Sequence, residues 1–272
     1  MRTSNVSKAI LVLALAASHM ALAAETEVSD SDRIAQYREM ISDGNPADFD
    51  EMAGETLWKT PGGPNKASLE TCDLGKGAGV VKGVYTALPR YFKDTGKVQD
   101  LESRLLTCMT TIQGIPEEAI TAKPFNSDKK KSDISSLATY VVGQSKGMKM
   151  KVSVRHPKEK EAYEIGKRIF NYRAGPYDFA CSTCHATSNV RIRLQDLPNF
   201  NVKKDAQSAY SSWPAYRVSQ GQTRSFQWRL NDCFRQQRFP EPKFVSEATI
   251  DLAMFLAVSA NGVEYAGPGL KR

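Results

Sequence analysis

Five residues carry the clearest chemistry in this chain: Cys181-Ser182-Thr183-Cys184-His185. The C-x-x-C-H spacing sets two thiols to form thioether bonds to a porphyrin and the adjacent imidazole to reach its iron. A thioredoxin-like redox pair has no need of a histidine directly after it. A zinc cage needs a second C-x-x-C, and the chain has none. The spacing therefore predicts one covalently bound haem c, held by Cys181 and Cys184, with His185 as proximal iron ligand.

The other axial ligand is narrowed by scarcity. The only histidines are His19, His156 and His185, and His156 sits in a basic connecting stretch before the haem motif. That leaves a sulfur, Met254 or Cys233. Met254 lies in the apolar run Ile250 to Ala257, opened by a plausible helix cap at Ser246, where core packing is its commoner role. Cys233 has arginines at Arg229, Arg235 and Arg238, which favour the thiolate that binds iron and attacks electrophiles. The other use of Cys233 is a disulfide with Cys72 or Cys108.

The chain has 272 residues, 41% hydrophobic and 25% charged, a composition suited to a globular protein of one large or two small domains. Arg2 and Lys8, the apolar run Ala9 to Ala17 and the small residues Ala21-Leu22-Ala23 read as a secretory signal over residues 1–24. The run is too short to span a bilayer, and no later stretch is long and apolar enough, so no membrane span is expected. The expected location is the periplasm. Removing the signal takes two basic residues and lowers the formal charge from +7 to +5. A surface so mildly basic, without a dense basic patch, is a poor nucleic-acid binder.

Arg104-Leu105-Leu106-Thr107-Cys108 and Arg229-Leu230-Asn231-Asp232-Cys233 share the pattern R-L-x-x-C. Each precedes an apolar helical segment: Leu137-Ala138-Thr139-Tyr140, with Gly147 beyond it, and Leu252-Ala253-Met254-Phe255, with Gly262 beyond it. Two matches in the same order predict a duplicated domain, residues 25–148 and 149–272, with Lys146 to Pro157 as linker. The fold expected is all-α, two tandem class I cytochrome c-like domains. In the second, a helix over Glu159 to Tyr172 precedes the haem motif and a terminal helix follows, with Gly166 and Phe170 at their crossing. The first lacks C-x-x-C-H and any histidine between Ala24 and Arg155, so it is degenerate and without haem. Its cysteines Cys72 and Cys108, in an oxidising compartment, are expected to form a disulfide, which leaves Cys233 unpaired. Ile34, Tyr37 and Ile41 place a further helix over Asp30 to Asp43.

A duplicated cytochrome with one haem motif and a downstream cysteine at R-L-x-x-C resembles the SoxA family, catalytic subunits of the SoxAX cytochromes of bacterial thiosulfate oxidation. The resemblance extends to Leu88-Pro89-Arg90-Tyr91-Phe92 and Asp100-Leu101-Glu102-Ser103-Arg104-Leu105. It implies a monohaem form that couples thiosulfate oxidatively to a cysteine of a SoxYZ-type carrier, an L-cysteine S-thiosulfotransferase. It also implies a heterodimer with a SoxX-type small cytochrome c subunit, and electrons passed to an acceptor cytochrome. Carried over by motif, Cys233 is distal iron ligand and catalytic cysteine, modified to a persulfide in such proteins, and Arg229 stabilises the anionic sulfur and the incoming thiosulfate. The alternative is a simple periplasmic electron-transfer cytochrome c with a His/Met haem and no free active-site thiol.

Overall fold

The structure, a computed structural model, describes residues 44–121, 132–192 and 195–271, together with Gln36 and Glu39. The secretory signal lies outside the described residues, as does the helix expected over 30–43 apart from Gln36 and Glu39.

Two helix crossings organise the chain. Helix α1 (Ala47–Lys59) has Asp48 and Asp50 in its first turn and Lys59 in its last, each suited to the helix dipole. It crosses α4 (Asp133–Gly143) at Gly54, where a Cβ would lie 2.0 Å from the Ser136 carbonyl oxygen. Helix α5 (Pro157–Asn171) crosses α9 (Glu247–Ser259) in the same way at Gly166, where a Cβ would lie 1.9 Å from the Asp251 carbonyl oxygen. Residues four apart share a helix face. Trp58, four after Gly54, therefore meets Tyr140 (ring centroids 6.2 Å apart), and Phe170, four after Gly166, meets Phe255 (5.2 Å).

Between the crossings each half places a short hairpin and then a helix. β1 (Arg90–Phe92) pairs with β2 (Lys97–Gln99), and Asp100 caps α2 (Leu101–Thr111). In the second half β5 (Ala215–Arg217) pairs with β6 (Gln222–Arg224), and Ser225 caps α8 (Phe226–Gln236). The hairpins turn at Gly96 and Gly221, both with positive φ. α3 (Glu117–Thr121), α6 (Cys181–His185), the two-residue strands β3 (Arg191–Ile192) and β4 (Gln195–Asp196), and α7 (Lys203–Ser211) complete the α-helices from Ala47 onward and the first six strands. β7 (Gly269–Lys271) adds to β5 in parallel, giving the order β6-β5-β7.

The fold is thus mostly helical but not all-α. The described strands are two or three residues long, too short for an alternating pattern to show in sequence. One buried cluster runs through both halves. Tyr85 stacks on Tyr210 (5.9 Å), and the hydroxyls of Tyr85 and Tyr265 both donate to the Trp213 carbonyl at 3.1 Å. The connection over 146–157 is packed: Met150 N–H donates to Val263 O, Tyr265 N–H to Met148 O, and Asn261 closes on both backbone groups of Val152.

Candidate haem and thiol site

The haem motif folds into one short helix, α6. The Ala180 amide donates to Thr183 Oγ1 at 2.9 Å, seating the N-terminus of the turn. His185 Nδ1 lies 2.9 Å from the Pro198 carbonyl oxygen. A carbonyl can only accept, so Nδ1 carries the proton and Nε2 keeps a free lone pair, the tautomer a metal ligand needs. Burial pushes the imidazole below its usual range, which keeps it neutral. The Phe200 ring stands edge-on at 5.8 Å and its amide donates to the His185 carbonyl, fixing the ring's orientation.

Helix α8 supplies the opposing chemistry. Ser225 Oγ accepts from the Trp228 amide at 3.1 Å, and this cap starts the helix so that Arg229 and Cys233 fall on one face. Cys181, Cys184, His185, Arg229 and Cys233 all line a single cavity of about 580 Å³. Its walls include Phe170, Phe226, Leu252 and Leu256. Two thiols and an imidazole on one turn, a third sulfur on another helix and an aromatic and aliphatic lining fit a covalently attached haem c.

Of the candidate iron ligands and site residues singled out in sequence, the structure brings those five together and places Met254 and His156 elsewhere. Met254 is fully buried in the core and does not line the cavity. His156 caps α5, accepting from the Lys158 amide at 3.2 Å, and stacks on Tyr91 at 3.8 Å. Cys233 is therefore the sulfur that shares the cavity with His185. Cys72 and Cys108 are joined, with S–S 2.04 Å and Cα atoms 5.7 Å apart. Cys108 holds the place on α2 that Cys233 holds on α8. Arg104, in the place of Arg229, is buried, donating from Nε to the Asp73 carbonyl at 2.6 Å and pairing through Nη1 with Asp94 at 2.7 Å.

The expectation that three arginines favour the Cys233 thiolate needs correction. Burial pushes the thiol up; Arg229 opposes this, Asp232 adds to it and Arg217 opposes it again. Arg235 pairs instead with Asp232 at 2.5 Å, and the Arg238 guanidinium lies 5.8 Å from the centre of the Tyr177 ring. A buried thiol raised in this way ionises when it binds a metal cation. Sequence reasoning missed Arg217 and Lys271. Both line the cavity, and they stand side by side because β5 and β7 pair in parallel with Arg217 opposite Lys271. No local motif signals them, since the pairing is made by strands far apart in the chain.

A family model described as SoxA/TsdA, cytochrome c domain, matches residues 53–150, the half without the haem motif. The L-cysteine S-thiosulfotransferase subunit SoxA of Hydrogenophilus thermoluteolus is 48% identical over 98% of this chain and 99% of that protein. The protein of the same name from Hydrogenobacter thermophilus is 35% identical over 84% of this chain and 82% of its own length. The crystal structure of SoxXA from P. pantotrophus shares the fold, with a TM-score of 0.72 at 22% identity over 87% of this chain and 84% of that one. With a near full-length relative at that identity, the chain belongs to the SoxA family.

Proposed function

We propose that this chain is the thiosulfate-coupling subunit of a periplasmic L-cysteine S-thiosulfotransferase, joining thiosulfate to a cysteine thiol of a SoxYZ-type carrier protein. The observation that carries this reading is the unpaired Cys233 thiol facing the haem motif across one cavity, with Arg229 beside it. Coupling a thiol to thiosulfate forms one S–S bond and releases one proton and two electrons. When bound, the haem supplies a one-electron outlet in the cavity. Two electrons leaving by a one-electron outlet must go singly to an acceptor cytochrome, which accords with pairing to a SoxX-type small cytochrome subunit.

Cys233 acts as a covalent relay in this scheme. A persulfide on Cys233 presents an outer sulfur, the terminal sulfur of thiosulfate bonds to it as two electrons are given up, and the carrier thiolate then attacks and takes the group. The Cys233 sulfurs are left as they began. Splitting one hard step into two is the usual gain of nucleophilic catalysis. Arg229 suits the trigonal sulfonate end by charge and by its forked donors. It is held for that role by Asp232, whose Oδ2 lies 3.0 Å from its Nη1.

The architecture belonging to this reading is a tandem of class I cytochrome c-like domains over 25–148 and 149–272, the first having lost its haem, so that a single haem c is bound. The paired crossings, hairpins and caps support it, as does the family match on the first half. Electron release from thiosulfate, measured with the holoprotein, its small subunit and a carrier protein, tests the function. Turnover should need the carrier thiol and collapse in Cys233→Ser. Full turnover in a Cys233→Ser or Cys233→Met protein that retains haem would eliminate the relay.

A further inference from the structure

A buried carboxyl pair that the cavity chemistry does not use lies where the two halves meet. Asp100 and Glu102, at the start of α2, are 3% and 5% exposed. Asp100 caps its own helix, accepting from the Ser103 amide at 2.9 Å. Its second oxygen accepts from Gln227 Nε2 of α8 at 2.5 Å. Gln227 is fully buried, and its carbonyl oxygen accepts from the Val245 amide at 2.7 Å, just before α9. The Glu102 carboxyl meets the Gln227 backbone amide and the Ser225 side chain. The first amides of a helix have no partner within it, so an acceptor placed there by another element anchors that end. The first turn of α8 is thus gripped by α2 on one side and by the approach to α9 on the other, two residues before Arg229 and six before Cys233.

We infer that Asp100, Glu102 and Gln227 are positioning residues for the coupling reaction: the half without a haem motif holds the helix bearing Arg229 and Cys233 in place against the cavity. The reaction part of this inference rests on the function proposed above. α8 has a cap of its own, so it stays helical without the grip, but its rotation and slide relative to α6 are no longer defined. A misplacement of about 1 Å at reacting groups can cost on the order of a hundredfold in rate.

The test uses the holoprotein and reads the ferric haem by optical and electron-spin spectra, together with kcat, the KM for thiosulfate and the melting temperature. Asp100→Ala and Gln227→Ala should broaden or shift the ferric spectrum and lower kcat by roughly tenfold or more, with KM within about twofold. Glu102→Leu should do the same, and Glu102→Gln, which keeps an acceptor oxygen, should restore both. Val141→Ala, in the buried core of α4, is the control: it lowers the melting temperature and leaves spectrum and kcat alone. Should Asp100→Ala fail to fold, Asp100→Asn carries the same expectation at roughly threefold in kcat. Wild-type spectra and kcat in the α2 and α8 variants would overturn the inference, as would equal changes in Val141→Ala. If wild type turns over no thiosulfate while the spectra still respond, the functional reading falls and the positioning role stands.

Discussion

Asp232 holds two of the arginines around Cys233, Arg229 and Arg235. It draws Arg235 outward at 2.5 Å and accepts from Gln236 at 2.7 Å, while one nitrogen of Arg229 is held at 3.0 Å on the cavity side. Arg229→Ala should therefore lower kcat/KM for thiosulfate by about 10- to 100-fold, roughly 1.4 to 2.8 kcal/mol of transition-state stabilisation, chiefly through KM. Steady-state kinetics over a range of thiosulfate concentrations would show it, and unchanged kinetics would remove Arg229 from the site. Arg217→Gln takes away a second cation lining the same cavity and should raise KM by about two- to tenfold with kcat unchanged. Its position on β5 is outside any motif, so this effect would be the first functional sign of the sheet.

The helix pairs set what the site can tolerate. At Gly166 an added methyl would meet the Asp251 carbonyl oxygen at 1.9 Å, and backbone cannot yield as a flexible side chain would. Gly166→Ala should thus force α5 and α9 apart and cost about 1 to 3 kcal/mol, read as a lowered midpoint in urea. Gly54→Ala should do the same to α1 and α4. At the junction of α2 and α8 a pH effect is expected. Burial first, then the neighbouring Asp100 carboxyl, pushes Glu102 up to about 8. Between the ordinary carboxylate range and about 8 the folded protein binds a proton there that the unfolded chain has given up, so the stability it brings is lost progressively as pH rises across that window and is gone above about 8. The groups facing it are Asp100, Ser225 and Gln227, with the ring hydroxyls of Tyr85, Tyr210 and Tyr265, all three raised by burial and so silent in this window. Melting temperature followed from pH 5 to 9.5 should fall as pH approaches about 8 and level off above it in the wild type, and stay flatter in Glu102→Gln.

At the scale of the whole molecule, the cavity is lined by the second half alone, while the first half packs buried side chains at its centre. Leu69, Leu74, Leu105 and the Cys72–Cys108 bond occupy its core, and Arg104 is sealed between Asp73, Asp94 and the Phe92 ring. By chain entropy a bond closing a loop between residues 36 apart stabilises by about 3 to 4 kcal/mol. The double variant Cys72→Ala, Cys108→Ala should lose roughly that much in denaturant unfolding and leave the ferric spectrum unchanged, since neither residue lines the cavity. A shifted spectrum without a stability loss would contradict this division of labour.

The haem motif, the shared helix face of Arg229 and Cys233 and the repeated R-L-x-x-C spacing were legible in the sequence, because each rests on residues within a helical turn. Spacing alone places Cys181, Cys184 and His185 on one turn, and Arg229 and Cys233 on one face. Tertiary structure decided the rest. It took Arg235 and Arg238 away from the sulfur, buried Met254, and reversed the expected bias toward thiolate by desolvation. It brought Arg217 and Lys271 to the cavity through a parallel strand pairing that no local window contains. It also tied α8 to the half without the haem motif through Asp100 and Gln227, 127 residues apart, because burial of a polar group demands a partner wherever the fold can supply one.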